Sequence, residues 1–210
     1  MSTLLIIGGS STALEIRECV DLYYKEQFTS IYNVIGDNEE TCIENVIRDS
    51  ELDAFLLVNA NISCIIGFTN QKLRRFFYDK LSIAKLVSII HPTSVISPSA
   101  TIGAGSYIAA TAVVSSNAVV GRGCLISIGV SVGHDVQIGD DCILNPGVRI
   151  SGHCKVGSRT LIGANSFIFQ FKIVGEDCAI DAMTYIDRNI EDTKLCTSNV
   201  SGLKVFEKRL

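Results

Sequence analysis

The 210-residue chain is short of several things, and each shortage removes a class of function. It has no excess of basic residues: the net charge is −4, so nothing marks an electrostatic footprint for nucleic acid. No apolar run approaches the roughly 20 residues that a bilayer span needs. No basic segment precedes the opening stretch MSTLLIIGGSSTALE, which reads as a strand and a turn, not as a leader. We therefore expect a soluble cytoplasmic protein with no membrane span and no nucleic-acid partner. The eight cysteines form no C-x-x-C pair, so a metal site built on short cysteine spacing is unsupported. Histidine occurs three times, as His91, His134 and His153.

What the chain has is apolar residue, 47% against 19% charged, enough for one large core or two modest ones. From Ile90 to Ile186 every sixth residue is Ile, Val or Leu, without insertion. A fixed six-residue period marks a parallel β-coil. With the aliphatic position called i, position i+1 is often glycine (Gly103, Gly121, Gly139, Gly157). Position i+4 is usually small or β-branched (Ala118, Cys124, Val136, Cys142, Cys154). Strand alternation sends i+4 and the next i inward and i+5 outward. Positions i+1 to i+3 must then turn a corner, a task for which the glycines are expected. Three such faces close one coil, so residues eighteen apart stack at about 4.8 Å. Cys124 and Cys142 share such a column and read as reduced core thiols.

Residues 1–88 lack the period. TLLIIGGSSTALEI is a buried strand, a glycine-serine turn and a helix over residues 11–26. YNVIGD and DAFLLVNA read as further strands, and NQKLRRFFYDKL as a helix with its basic residues exposed. This alternation predicts a small α/β domain with a parallel sheet. The turn of Gly8, Gly9, Ser10 and Ser11 sets backbone amides at a helix N-terminus, a natural anion or phosphate site.

IIHPTSVISPSATIG joins this front end to the repeat, and GHDVQIG within the repeat carries His134 and Asp135. Together with the six-residue period, these segments resemble the PglD/NeuD-type bacterial sugar acyltransferases, over the whole chain to about residue 190. The resemblance implies an α/β, Rossmann-like domain over residues 1–88 that binds a nucleotide sugar. It implies a left-handed parallel β-helix over 89–190 that transfers the acyl group, and a C-terminal tail over 191–210. The left hand comes from the resemblance; spacing does not show it. A homotrimer with active sites between subunits, acetyl-CoA as acyl donor and no metal requirement are implied in the same way.

His134 and Asp135 occupy i+2 and i+3 of the hexad that begins at Val132, so both stand on an outer corner. An imidazole, with an ordinary pKa of about 6.5, suits a general base at neutral pH. A carboxylate beside it can orient the ring and stabilise the imidazolium. The resemblance assigns those roles to His134 and Asp135. It assigns the nucleotide sugar to Gly8, Gly9, Ser10, Ser11 and Asp37, and the border of the acetyl-CoA site to Ile143, Ala164 and Ala182. His153, one coil along, either reaches the same corner or is a solvated histidine, and His91 reads as structural. A three-histidine metal site is disfavoured, because His91 and His134 lie more than two coils apart. Lys172 falls in an inward slot and Phe171 replaces a glycine, so the coil is expected to distort there. The expected reaction is acetyl transfer to the amino group of a nucleotide-linked aminodeoxy sugar for surface-glycan synthesis. O-acetylation of a sialic acid or another sugar hydroxyl would use the same base. A non-catalytic β-helical trimer that binds a nucleotide sugar is the reading from a different class.

Overall fold

The structure, a computed structural model, describes residues 1–9, 11–199 and 202–207, with backbone alone for 199, 202–204 and 207. The chain divides into two compact units, Met1–Ile89 and Ile90–Leu210. Among the described residues no helix is long and apolar enough to cross a membrane.

The first unit runs β1 (Ser2–Ile7), α1 (Thr12–Tyr23), β2 (Phe28–Ile35), β3 (Val46–Arg48), α2 (Asp49–Val58), β4 (Ile62–Ile66), α3 (Gln71–Lys80) and β5 (Lys85–Leu86). Its sheet has the order β3-β2-β1-β4-β5, with every neighbouring pair parallel. The apolar run Leu4 to Ile7 and the whole of β4 are buried, as strands covered on both faces must be. Helix α1 covers one face with Ala13, Ile16, Cys19 and Val20. The chain leaves β1 for β2 on one side and later reaches β4 on the other. The carboxyl ends of β1 and β4 therefore flank a topological switch point, where open α/β sheets bind their ligands.

Two expectations for this unit fail. DAFLLVNA is no strand; most of it lies in α2, where Leu52 and Leu56 are buried one turn apart while Leu57 and Val58 are 87% and 81% exposed. Burial confined to one side is helical periodicity. The start of α2 is capped, with Arg48 N donating to Glu51 Oε2 (2.9 Å) and Ser50 N to Asp37 Oδ1 (3.0 Å). The strand that the reading needed is ISCII, at β4. Arg74 of α3 is buried, not exposed. Its guanidinium donates to the carbonyls of Phe68 (2.7 Å) and Ile66 (3.3 Å), pinning the loop after β4.

The second unit is the coil. Two-residue strands pair in parallel across coils in steps of eighteen residues on three faces. Val113, Ser131 and Arg149 follow one another on the first face, Val119, Gln137 and Lys155 on the second, and Leu125, Ile143 and Leu161 on the third. Every position-i aliphatic from Ile108 to Ile186 is at most 3% exposed. Outward residues of the first two faces include the exposed Val113 and Val119, but Tyr107, Leu125 and Ile143 on the third are buried.

The inward i+4 slot favours a small donor more than a small hydrophobe. Ser106 Oγ and Thr160 Oγ1 donate to Gly121 O (3.0 Å) and Gly175 O (2.8 Å) one coil on. Cys124 and Cys142 do the same with their thiols, to Gly139 O (3.2 Å) and Gly157 O (3.1 Å). Each cysteine thus satisfies a carbonyl inside the coil.

The glycines at i+1 do not make the turn. Left-handed backbone falls at i+3, where Asn117, Asp135, His153 and Phe171 have φ of 57°, 58°, 60° and 61°. What i+1 requires is a close approach of coils: a Cβ on Gly121 would lie 2.5 Å from the carbonyl carbon of Gly139. Phe171 therefore causes no distortion; its coil keeps register, with Phe167 opposite Tyr185 and Phe171 N bonded to Gly152 O (3.1 Å). Lys172 is only half-buried, with Nζ 6.0 Å from the centre of the Phe169 ring. The coil also continues past residue 190. Ile190 bridges to Val174, and the strand Lys194–Asn199 pairs in parallel beside Ala179 and antiparallel with Gly202–Glu207.

Candidate active site

The corner between the first and second faces gathers the rare residues. Because the step is eighteen, position i+3 stacks Asn117, Asp135, His153 and Phe171 in one column. Backbone bonds fix the column: Asp135 N to Ser116 O (2.9 Å) and His153 N to His134 O (3.0 Å). His134 stands beside it at i+2. Gly152 lies over His134 in the next coil, and a Cβ there would come within 2.6 Å of His134 Nε2. Glycine makes room for the ring.

His134 Nδ1 lies 2.8 Å from Asp135 Oδ2, and Asn117 Nδ2 donates to Asp135 Oδ1 at 3.1 Å. The bond from His134, then that from Asn117, holds the Asp135 carboxyl below the usual carboxylate range, against a smaller opposing effect of desolvation. An ionised carboxylate only accepts hydrogen bonds, so neutral His134 carries its proton on Nδ1. Nε2 is then left with its lone pair, on a side chain that is 58% exposed. This is the arrangement of an oriented general base.

His153 reaches the same corner. Its ring meets the His134 ring edge to face, with centroids 4.9 Å apart, and stacks flat on Phe171 at 4.9 Å. Its Nδ1 lies 3.9 Å from Asp135 Oδ2. Asn117 escaped the sequence reading and Phe171 reads there only as a distortion of the coil, although the eighteen-residue step alone aligns both with Asp135. The second face carries a groove of about 630 Å³, lined by Val119, Gln137, Lys155 and Ile173 and running to the far corner at Gly157 and Glu176; His134, Asp135 and His153 do not line it. That volume is in the range of small-molecule sites, roughly 300–1,000 Å³.

The other predicted residues fall elsewhere. Ile143 is wholly buried on the third face. Ala164 and Ala182 stand on the corner after that face, not on the corner of His134. In the first unit Gly8 (φ 123°) and Gly9 end β1 at the switch point. A Cβ on Gly9 would meet Ile35 Cγ2 at 2.6 Å and Glu39 Oε1 at 2.7 Å, so the loops after β1 and β2 nearly touch. Ser11 (φ 47°) starts α1, its carbonyl accepting from Leu14 N (3.0 Å) and Glu15 N (3.1 Å). Ser10 lies outside the described residues. Asp37 caps α2 through Ser50 N; that bond holds its carboxyl below the usual range. Glu39 was missed by sequence, having no motif to mark it.

Residues 117–152, which span this corner, match the family model for bacterial transferase hexapeptide (six repeats). The match falls inside the six-residue coil. No curated protein sequence matches the chain. Among solved structures, PerB from Caulobacter crescentus, in complex with CoA and GDP-perosamine, is 23% identical with a TM-score of 0.86, covering 98% of both chains. The acetyltransferase domain of PglB from Neisseria gonorrhoeae FA1090 is 23% identical with a TM-score of 0.87, over 98% of this chain and 100% of that one. WeeI from Acinetobacter baumannii AYE is 20% identical with a TM-score of 0.68, over 98% and 100%. These likenesses establish the fold, an α/β Rossmann-like domain followed by a left-handed parallel β-helix.

Proposed function

We propose that the chain transfers an acetyl group from acetyl-CoA to the amino group of a nucleotide-linked aminodeoxy sugar, in the synthesis of a surface glycan. The observation that carries this reading is the His134–Asp135 pair, which leaves Nε2 as an acceptor on an open corner. The likeness to a perosamine N-acetyltransferase solved with CoA and GDP-perosamine supports the choice of substrates.

The acceptor amine, in its neutral form, attacks the thioester carbonyl carbon. As the new C–N bond forms, His134 Nε2 takes a proton from the nitrogen, and the C–S bond then breaks as the sulfur takes that proton from the imidazolium, releasing the CoA thiol and restoring the neutral base. Asp135, held by Asn117, faces the imidazolium that forms and stabilises it. Such a base accounts for about 10²–10⁴ of the rate. The turn of Gly8, Gly9, Ser10 and Ser11, with Asp37, holds the nucleotide portion.

Ala164 and Ala182 belong to another corner, so they border the acetyl group's path only if a second chain brings that corner to His134. A homotrimer with sites between subunits does this. The reaction belongs in the cytoplasm, where acetyl-CoA and nucleotide sugars are made. The test is release of CoA thiol from acetyl-CoA across a panel of nucleotide amino sugars. Release with one acceptor and an N-acetylated product is expected; no release with any amino acceptor would overturn the reading.

A further inference from the structure

His134, Asp135 and His153 each offer a ligand atom, and these atoms all lie within 4.8 Å of one another. We propose that they form a binding site for a divalent transition-metal ion, zinc first among them, and that occupancy switches off the base. The second half of this proposal rests on the functional reading above; the binding site does not.

Two imidazoles and a carboxylate are a donor set suited to zinc and nickel. Bond lengths of about 2.0–2.2 Å place tetrahedral zinc ligands roughly 3.3–3.6 Å apart. Asp135 Oδ2 is 2.8 Å from His134 Nδ1 and 3.9 Å from His153 Nδ1, two edges that bracket that spacing, and side-chain rotation has to close the third, between the two histidines, from within 4.8 Å. The supports are already built. Asn117 holds the other carboxylate oxygen, and Phe171 holds the His153 ring flat. Outer contacts of this kind orient first ligands. All three side chains are partly exposed, so an ion can enter and keep water on its remaining positions.

The chemical consequence follows from the tautomer. An ion bound at His134 Nδ1 displaces the proton there. The neutral ring then carries its proton on Nε2, which can no longer accept one. Metal binding and base catalysis thus exclude each other at one imidazole.

The test uses the full chain in a non-chelating reductant with Co²⁺ as the spectroscopic probe, and Zn²⁺ as the competitor. Cys42→Ser serves as the parent, removing the one exposed thiol among the described residues. One equivalent of Co²⁺ should give the visible absorption of four- or five-coordinate cobalt, and Zn²⁺ should displace it. His153→Gln should weaken binding at least tenfold, and its acetyl transfer, relative to its own metal-free rate, should resist Zn²⁺. Equal affinity in His153→Gln, or a parent spectrum that remains that of aqueous cobalt, would overturn the site. Binding is read with no acetyl donor present. Saturable, His153-dependent binding without any acetyl transfer would therefore sustain the site and sink the functional reading instead.

Discussion

Two corners of one coil carry charged side chains at the same positions, i+2 and i+3, and use them differently. At the corner after the second face the charges close on each other across coils. Arg122 Nη2 meets Asp140 Oδ2 at 2.8 Å, and Arg159 Nη2 meets Glu176 Oε2 at 2.7 Å and Asp177 Oδ2 at 2.8 Å. At the corner after the first face Asp135 is given a neutral amide, Asn117, and a titratable ring, His134. The backbone is the same, with left-handed φ at Asp135, Asp141 and Arg159 alike. What separates scaffold from chemistry is the partner: a fixed cation consumes the carboxylate, whereas an imidazole leaves a lone pair to work with.

The sharpest break in this comparison is His134→Ala, which should cut acetyl transfer by about 10²–10⁴ and leave thermal unfolding unchanged. A pair of glycine substitutions separates the two roles further. In Gly121→Ala the new Cβ meets the backbone of the next coil at 2.5 Å, and unfolding should cost roughly 1–3 kcal/mol less. In Gly152→Ala its three nearest atoms all belong to the His134 ring, so activity should fall on the order of 10²-fold with stability close to wild type. Urea unfolding and initial rates measured on both variants decide this.

Smaller effects test the partners. Asn117→Ala removes a bond that holds the Asp135 carboxyl down, so the titration midpoint of Asp135, followed by NMR, should rise toward the ordinary value. The sign follows from that lowered value. The His134–Asp135 contact is complete above the usual carboxylate range and is lost only as pH falls through the depressed midpoint; in Asn117→Ala it is lost earlier. Arg159→Ala at the other corner should leave the rate untouched and cost about 1 kcal/mol of stability, because Arg159, Glu176 and Asp177 are all partly exposed and solvent screens the pairs.

The coil was legible because its physics is periodic. A six-residue period with inward aliphatics has one solution, and it put His134 and Asp135 on an outer corner. Its finer chemistry was less visible. The i+1 glycines signalled a tight place, but whether by φ or by coil-to-coil approach depends on where the next coil runs. Phe171 looked like an error in the repeat until its aromatic neighbour His153 was placed eighteen residues before it. In the α/β unit FLLV is apolar enough for a strand or a helix, and the Glu51 cap and one-sided burial made it a helix. Arg74 was unreadable, since its burial depends on the carbonyls of Ile66 and Phe68 awaiting a donor. Contacts set by neighbours distant in sequence leave little trace in local pattern.

The central claim is that Nε2 of His134 takes the proton from an acceptor amine. Its most direct test measures CoA thiol release and N-acetyl product for the wild-type chain and His134→Ala, with acetyl-CoA and the best nucleotide amino sugar. The wild type should yield stoichiometric thiol and amide, and the variant, with its fold intact, should lose at least about 10²-fold. A folded His134→Ala protein that transfers acetyl at the wild-type rate would contradict that claim.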